Sequence, residues 1–450
     1  MKEFNFEKLP IVEIANEIIM DAVNKGASDI HFDPSQDSLK IRFRIDGILS
    51  DYSIIPSKYK RNMISRIKMI AGMNIMETRL PQDGAIKSKI GERFLDLRVS
   101  SLPTNNAEKI VIRILDYSMS LAGLDNLGFS EDAMEKINRL IKIPNGIILV
   151  TGATGTGKST TLYSILQKLN TEEVNIITVE DPVEMDIEGI NQVQTQSEIG
   201  LTFATILRSI LRQDPNIIMI GEIRDDETAR IAVRASITGH LVLSSLHTNN
   251  SLNTIERLTD MDVERYLLGS SLEGIISQRL ARKVCPECSI KRPTTDYERQ
   301  VFKTVLGKDV SEMVVANKEG CPKCTHGYKG RLAILEVLVM NEKIKDAITN
   351  GANKNTLREL VYTGDVVTLL QDGLNKVVLG ETTFEEILKI VDLENDMTQY
   401  NDDNLKTNLI MAQQAHKADN KTNDKPITSN ISSEFKIEKT NNENIETVEF

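Results

Sequence analysis

Gly152-Ala-Thr-Gly-Thr-Gly157-Lys158-Ser159 follows closely on the apolar run Gly146-Ile-Ile-Leu-Val150, and this stretch decides the fold. The spacing G-x-x-x-x-G-K-[ST] after a short apolar strand is a phosphate-binding loop in its setting of strand, glycine turn and helix. Glycines let backbone N–H groups close around phosphate oxygens. Lys158 reaches the β- and γ-phosphates, and the Ser159 hydroxyl is placed to hold Mg²⁺. The helix starting near Lys158 adds its positive end. Gly152, Ala153, Thr154, Gly155, Thr156, Gly157, Lys158, Ser159 and Thr160 are the candidate nucleotide contacts.

Downstream, apolar strand candidates recur at 147–150, 176–179, 217–220 and 241–245, with helical stretches between them. Near-continuous apolar strands alternating with helices imply a parallel sheet covered on both faces. With a phosphate loop after the first strand, this predicts a RecA-like α/β core. Residues 254–282 and 341–393 read as helical. Upstream, Leu39-Lys-Ile-Arg-Phe-Arg-Ile45 alternates apolar and basic residues, and Asp46-Gly47 signals a hairpin turn. Strands are also expected at 94–99 and 109–115, giving a smaller α+β, PAS-like domain over 1–117. A linker at 118–128 leads to the RecA-like domain, 129–394. From 395 to 450 the chain is rich in Asn, Lys, Thr, Glu and Asp, a composition too poor in large apolar residues to order itself.

The chain has 450 residues and a net charge of −11, so general nucleic-acid binding, which rests on phosphate neutralisation, is not expected. No apolar N-terminal stretch reads as a signal peptide, and no run nears the roughly 18 residues of a membrane span. A cytoplasmic protein is expected, with membrane association only through partners.

Four cysteines are all the chain has, as Cys285-x-x-Cys288 and Cys321-x-x-Cys324. Two such turns complete a tetrahedral four-thiolate zinc site, structural because no position stays open. The 32 residues between the pairs require a small subdomain, so 285–324 is an insertion carrying Zn²⁺.

Acidic and histidine residues fall at strand ends, where ligands of parallel sheets bind. Glu222 ends Asn216-Ile-Ile-Met-Ile-Gly-Glu222, beside the expected Mg²⁺ and attacking water; the plainer alternative is a carboxylate that caps a helix. Glu180 and Asp181 end the strand before it, and His240 and His247 bracket the strand after it. His247, on the crevice side, is placed to sense a γ-phosphate. Arg79, Arg98 and Arg113 lie in or near the first domain, and phosphoryl-transfer sites recruit arginines from other domains or subunits.

The string Leu211-Arg-Gln-Asp-Pro-Asn-Ile-Ile-Met-Ile-Gly-Glu-Ile-Arg-Asp225 resembles the signature of the GspE/PilB secretion ATPases, which power type II secretion and type IV pilus assembly. The resemblance continues through Ser28-Asp-Ile-His31, Arg79-Leu-Pro-Gln-Asp-Gly84, Asp96-Leu-Arg-Val-Ser100, the Glu180 segment, both histidines and Gly327-Tyr-Lys-Gly-Arg331, over roughly residues 10–393. It implies a hexameric ring with ATP between the two domains, pushing on a polytopic inner-membrane platform protein from the cytoplasmic face. It implies Glu180 as the residue that activates water, Glu222 as an atypical Walker B residue, and His240 and His247 as the histidine box. Arg79, Arg98 and Arg113 match arginines that reach the nucleotide, and the cysteines match a zinc-binding tetracysteine motif. Many members carry an additional N-terminal domain that binds a cytoplasmic partner or cyclic di-GMP. This chain opens almost at the nucleotide-contacting domain, so that regulation is not expected. The loop after Cys324 is slightly shorter than usual.

The leading expectation is therefore an extension motor. A retraction motor shares the core but normally lacks the four cysteines, and a competence motor assembles a pseudopilus. An ATP-binding scaffold with little hydrolysis is disfavoured by the two carboxylates. A metabolic P-loop kinase would need an acceptor pocket that no segment offers.

Overall fold

The computed structural model describes residues 1–90, 93–116 and 123–391. The polar tail expected at 395–450 and the first part of the expected linker lie outside the described residues.

The first domain is built on the alternation seen in its sequence. Strands β1 (Ala27–Pro34), β2 (Ser38–Ile45), β3 (Ile48–Pro56), β4 (Gln82–Ile90), β5 (Arg93–Thr104) and β6 (Ala107–Asp116) form one antiparallel sheet in the order β3-β2-β1-β6-β5-β4. On β2, Leu39, Ile41 and Phe43 are buried among residues of the helices Ile11–Asn24 and Ser57–Ile70, while Lys40, Arg42 and Arg44 occupy the other face. Asp46 and Gly47 both have positive φ, 49° and 84°, as a two-residue hairpin turn between β2 and β3 requires.

The second domain is a seven-stranded sheet in the order β15-β12-β7-β11-β10-β8-β9. It comprises β7 (Gly146–Thr151), β8 (Ile176–Glu180), β9 (Asn191–Gln194), β10 (Ile217–Ile220), β11 (Leu241–Leu246), β12 (Leu272–Val284) and β15 (Tyr328–Val339). Neighbours from β12 to β9 are parallel, and only β15 runs antiparallel, at the edge. The parallel α/β core is as the strand spacing predicts. Ile147 and Leu149 enter the core on one face, and Ile148 and Val150 the core on the other, so β7 shows no alternation of polarity. Leu124, within the expected linker, is buried in the second of these cores.

One expectation is overturned. Residues 254–282 are not continuously helical: helices Ser251–Asp260 and Arg265–Ser271 give way to β12. Leu272, Ile275, Ile276 and Leu280 recur at a helix-like spacing. Yet β12 lies between β7 and β15 and buries both faces, so the period of two is hidden. The stretch 341–393 does contain helices, Glu342–Thr349, Lys354–Tyr362, Leu369–Val378 and Phe384–Ile390. Between the cysteine pairs, β13 (Ile290–Pro293) and β14 (Glu312–Val315) form a hairpin joined through the helix Asp296–Leu306. Among the described residues, no helix is long and apolar enough to cross a membrane.

Candidate active site

Because β7, β8, β10 and β11 are parallel neighbours, their C-terminal ends share one rim. The phosphate loop leaves β7, Glu180 ends β8, Glu222 follows β10 and His247 follows β11. His240 is at the far end of β11, where its Nδ1 lies 2.8 Å from the Ala235 carbonyl oxygen.

The loop is closely backed. A Cβ on Gly152 would come within 2.6 Å of the Gln278 carbonyl oxygen, and one on Gly157, at φ 90°, within 2.8 Å of Gln278 Nε2. Gln278 is buried; its Nε2 donates to the Thr156 carbonyl at 2.8 Å and its Oε1 accepts from Thr161 at 2.8 Å. Its neighbour Arg279 donates to the Asn249 carbonyl at 2.9 Å, two residues past His247. Neither residue stands among the candidates drawn from the sequence, because the helix expected over 254–282 covers their strand. The available signal was the polar triplet Ser277-Gln278-Arg279 inside an apolar run.

Lys158 Nζ donates to the carbonyls of Gly152 and Ala153 at 3.0 and 3.2 Å, curled over its own loop. Burial pushes its ammonium below the ordinary value; the Glu222 carboxylate opposes this and Arg279 adds to it. Ser159 is exposed and open to a metal ion at the mouth of the loop.

Glu222 accepts from Arg224 Nε at 2.6 Å and faces His247 Nε2 at 3.0 Å. It is not a helix cap: the helix Asp226–Ile237 is capped by Asp225, which accepts from Thr228 at 2.8 Å. Arg224 also reaches Asp181 Oδ2 at 3.1 Å, so the exits of β8 and β10 are tied. Glu180 is only 4% exposed, and both its oxygens are engaged. Oε1 accepts from Thr178 at 2.5 Å and Gln192 at 3.1 Å, and Oε2 accepts from Tyr163.

The three arginines diverge. Arg98 contacts the second domain, 3.5 Å from the Val183 carbonyl and 3.9 Å from the Glu184 carboxylate. Arg113 pairs with Asp29 at 3.2 Å within the first domain. Arg79 is 84% exposed and paired with Glu77. Its segment is nevertheless anchored, since buried Lys68 donates to the Glu77 carbonyl and to Glu108, each at 2.6 Å.

The four cysteines converge within 4.8 Å of one another. Sulfur–sulfur distances of 3.8 Å (Cys285–Cys321), 3.7 Å (Cys288–Cys324) and 3.6 Å (Cys321–Cys324) match the edge of about 3.8 Å for a tetrahedron with metal–sulfur bonds of about 2.3 Å. The Cys321 N–H points at Cys324 Sγ, 3.2 Å away, a donor suited to a thiolate. The donor set fits a metal ion.

A phosphate loop backed by a parallel sheet, with carboxylates and a histidine on the same rim, defines a P-loop ATPase. The chain belongs to the type II/IV secretion system protein family, whose model matches residues 5–389. It is 46% identical over 383 residues to the type II secretion system protein E of Xanthomonas campestris pv. campestris, covering 85% of this chain and 68% of that one. To the type IV pilus assembly ATPase PilB of Myxococcus xanthus it is 45% identical over 381 residues, covering 84% and 67%. Among solved structures it resembles the ATPase DotB of Legionella pneumophila, with a TM-score of 0.61 at 22% identity, covering 83% of this chain and 94% of that one, a likeness of fold. This chain is thus an ATPase of the secretion or pilus-assembly kind, an enzyme that hydrolyses ATP.

Proposed function

We propose that the chain works as a homo-hexameric ring that turns ATP hydrolysis into domain motion, driving assembly of a type IV pilus or a type II secretion pseudopilus. The observation that carries this reading is the shared rim: Lys158, Glu180, Glu222 and His247 meet at one sheet edge, and Arg98 of the first domain touches the loop beside it. Relatives named for type II secretion and for pilus assembly match at near-equal identity, which supports filament assembly as the common work.

In this reading the loop Gly152–Thr160 binds ATP, Lys158 offsets charge on its outer phosphates, and Ser159 would hold Mg²⁺. Bound Mg²⁺ would neutralise charge on the phosphate oxygens. Glu222 orients the attacking water and takes its proton; His247 fixes the carboxylate that does so. Glu180, assigned to water activation by resemblance, would first release a side-chain partner. Arg79 and Arg113 act on a neighbouring subunit's nucleotide, since neither contacts the rim within its own chain. Cys285, Cys288, Cys321 and Cys324 hold one structural Zn²⁺. Partners are other copies and an inner-membrane platform protein, so the ring works at the inner face of the cytoplasmic membrane.

The test is Mg²⁺-dependent phosphate release by assembled protein, with Lys158→Ala as the comparison. Activity should rise with oligomerisation and vanish in the variant. Full activity in Lys158→Ala, or negligible turnover by the assembled wild type, would overturn the reading.

A further inference from the structure

A cavity of about 970 Å³ adjoins the phosphate loop. Gly157 and Thr160 line it, whereas Lys158, Glu222 and His247 are not among its walls. The lysine of such a loop reaches the β- and γ-phosphates, so this cavity lies at the other, α-phosphate end, where a nucleoside must go. Its volume is within the range of small-molecule sites.

Three parts of the chain build its walls. The first domain supplies Asn24 and Asp46, the ATPase core supplies Phe129 and Leu280, and the cysteine knuckle supplies Lys323 and Cys324. The knuckle is therefore not a remote appendage. It is also tied to the walls on either side. Asp46 Oδ2 accepts from the Gly330 N–H at 3.1 Å, linking the β2–β3 turn to the strand that leaves the knuckle. Two residues before Gly330, Tyr328 exchanges backbone hydrogen bonds of 3.0 Å with Thr325. On the other side, β12 carries Gln278, which clamps Thr156 and Thr161, and runs directly into Cys285.

Between Cys321 and Cys324 the chain has neither helix nor strand ladder to hold it. A turn hydrogen bond, Cys324 N–H to the Cys321 carbonyl at 3.1 Å, and the Lys323–Glu287 pair at 2.9 Å hold it, and its shape also depends on where the sulfurs are pinned. Without that pinning the loop gains conformations, and the wall it presents to the cavity recedes.

We propose that the tetracysteine knuckle is one wall of the nucleoside pocket, so that metal in the knuckle and nucleoside in the cavity stabilise each other. This rests on the reading that the phosphate loop binds ATP. Linkage makes the effect reciprocal: whatever factor the metal contributes to nucleotide affinity, the nucleotide contributes to metal affinity.

The experiment measures zinc release from intact, metal-loaded protein under a thiol-reactive challenge, with no addition, with Mg²⁺–ADP or with inorganic tripolyphosphate. Tripolyphosphate occupies the phosphate loop alone. ADP should slow release at least about fivefold, at the lower end of typical coupling between sites, and tripolyphosphate should slow it less than about twofold. Equal release in all three conditions, with ADP and tripolyphosphate binding verified, would overturn the proposal; so would equal protection by both. If loaded wild type binds neither ligand, the phosphate-loop reading itself fails, a separate result. Asp46→Gly keeps the positive φ and removes the carboxylate. It should weaken ADP binding several-fold and leave tripolyphosphate affinity unchanged; equal loss of both would count against the proposal.

Discussion

His247 Nε2 lies 3.0 Å from Oε2 of Glu222, while Oε1 of the same carboxylate takes Arg224 Nε at 2.6 Å. One carboxylate is thus gripped from β11 and from its own loop, and its orientation is set before any nucleotide arrives. Glu222→Gln preserves the shape and an acceptor but cannot take a proton. Turnover should fall by about 10²- to 10⁴-fold, the usual weight of a general base, while nucleotide affinity stays within about twofold. Steady-state phosphate release and equilibrium nucleotide binding check this, and a parallel loss of affinity would argue for a binding role instead.

Tyr163→Phe removes one hydroxyl donor from buried Glu180 and the acceptor of the Glu184 N–H, which Tyr163 Oη receives at 3.0 Å. Hydrogen bonds to buried charged groups contribute about 2 kcal/mol, so stability should drop by about that amount in denaturant titration. A change near zero would mean that Glu180 finds a replacement donor at once.

Glu336, wholly buried on β15, accepts from the Ser251 N–H at 2.9 Å, and burial raises its carboxyl above the ordinary 4.5. The folded state therefore holds this proton more tightly than the unfolded chain does. Its contribution to stability is full below the unfolded value and is lost as pH rises through the folded one. Glu336→Gln stays neutral throughout. The difference in Tm, variant minus wild type, should grow as pH rises above the ordinary carboxylate range. A flat difference would mean that the carboxyl is ionised in both states.

Arg79 sits on an anchored segment, is 84% exposed and, among the described residues, pairs with Glu77. If it completes a neighbour's site, mixing Arg79→Ala with Lys158→Ala should restore part of the ATPase activity that each lacks alone. Interfaces would then exist that combine an intact lysine with an intact arginine. Mixed rings no more active than the separate variants would place Arg79 outside catalysis.

Much of the site is legible in sequence because its chemistry is local. The phosphate loop, the paired cysteines and the carboxylates after apolar strands each declare themselves within a few residues. The Gln278–Arg279 backing does not. It depends on β12 pairing with β7 across more than a hundred residues, and burial on both faces hides the strand's period. The engagement of Glu180 by Tyr163 and Gln192 was likewise invisible, since one partner comes from the helix Lys158–Leu169 and the other from β9.

By itself, the sequence determined that this chain grips a triphosphate, folds around a parallel sheet and can bind a metal through two turns of cysteine. These follow from backbone conformation, hydrophobic period and ligand spacing. Packing settles that the strand ends form one rim, that Arg98 touches the loop beside it while Arg79 and Arg113 do not, and that the cysteine knuckle walls the cavity beside Gly157 and Thr160. Those relationships join segments far apart in the chain, and only packing brings them within hydrogen-bond reach.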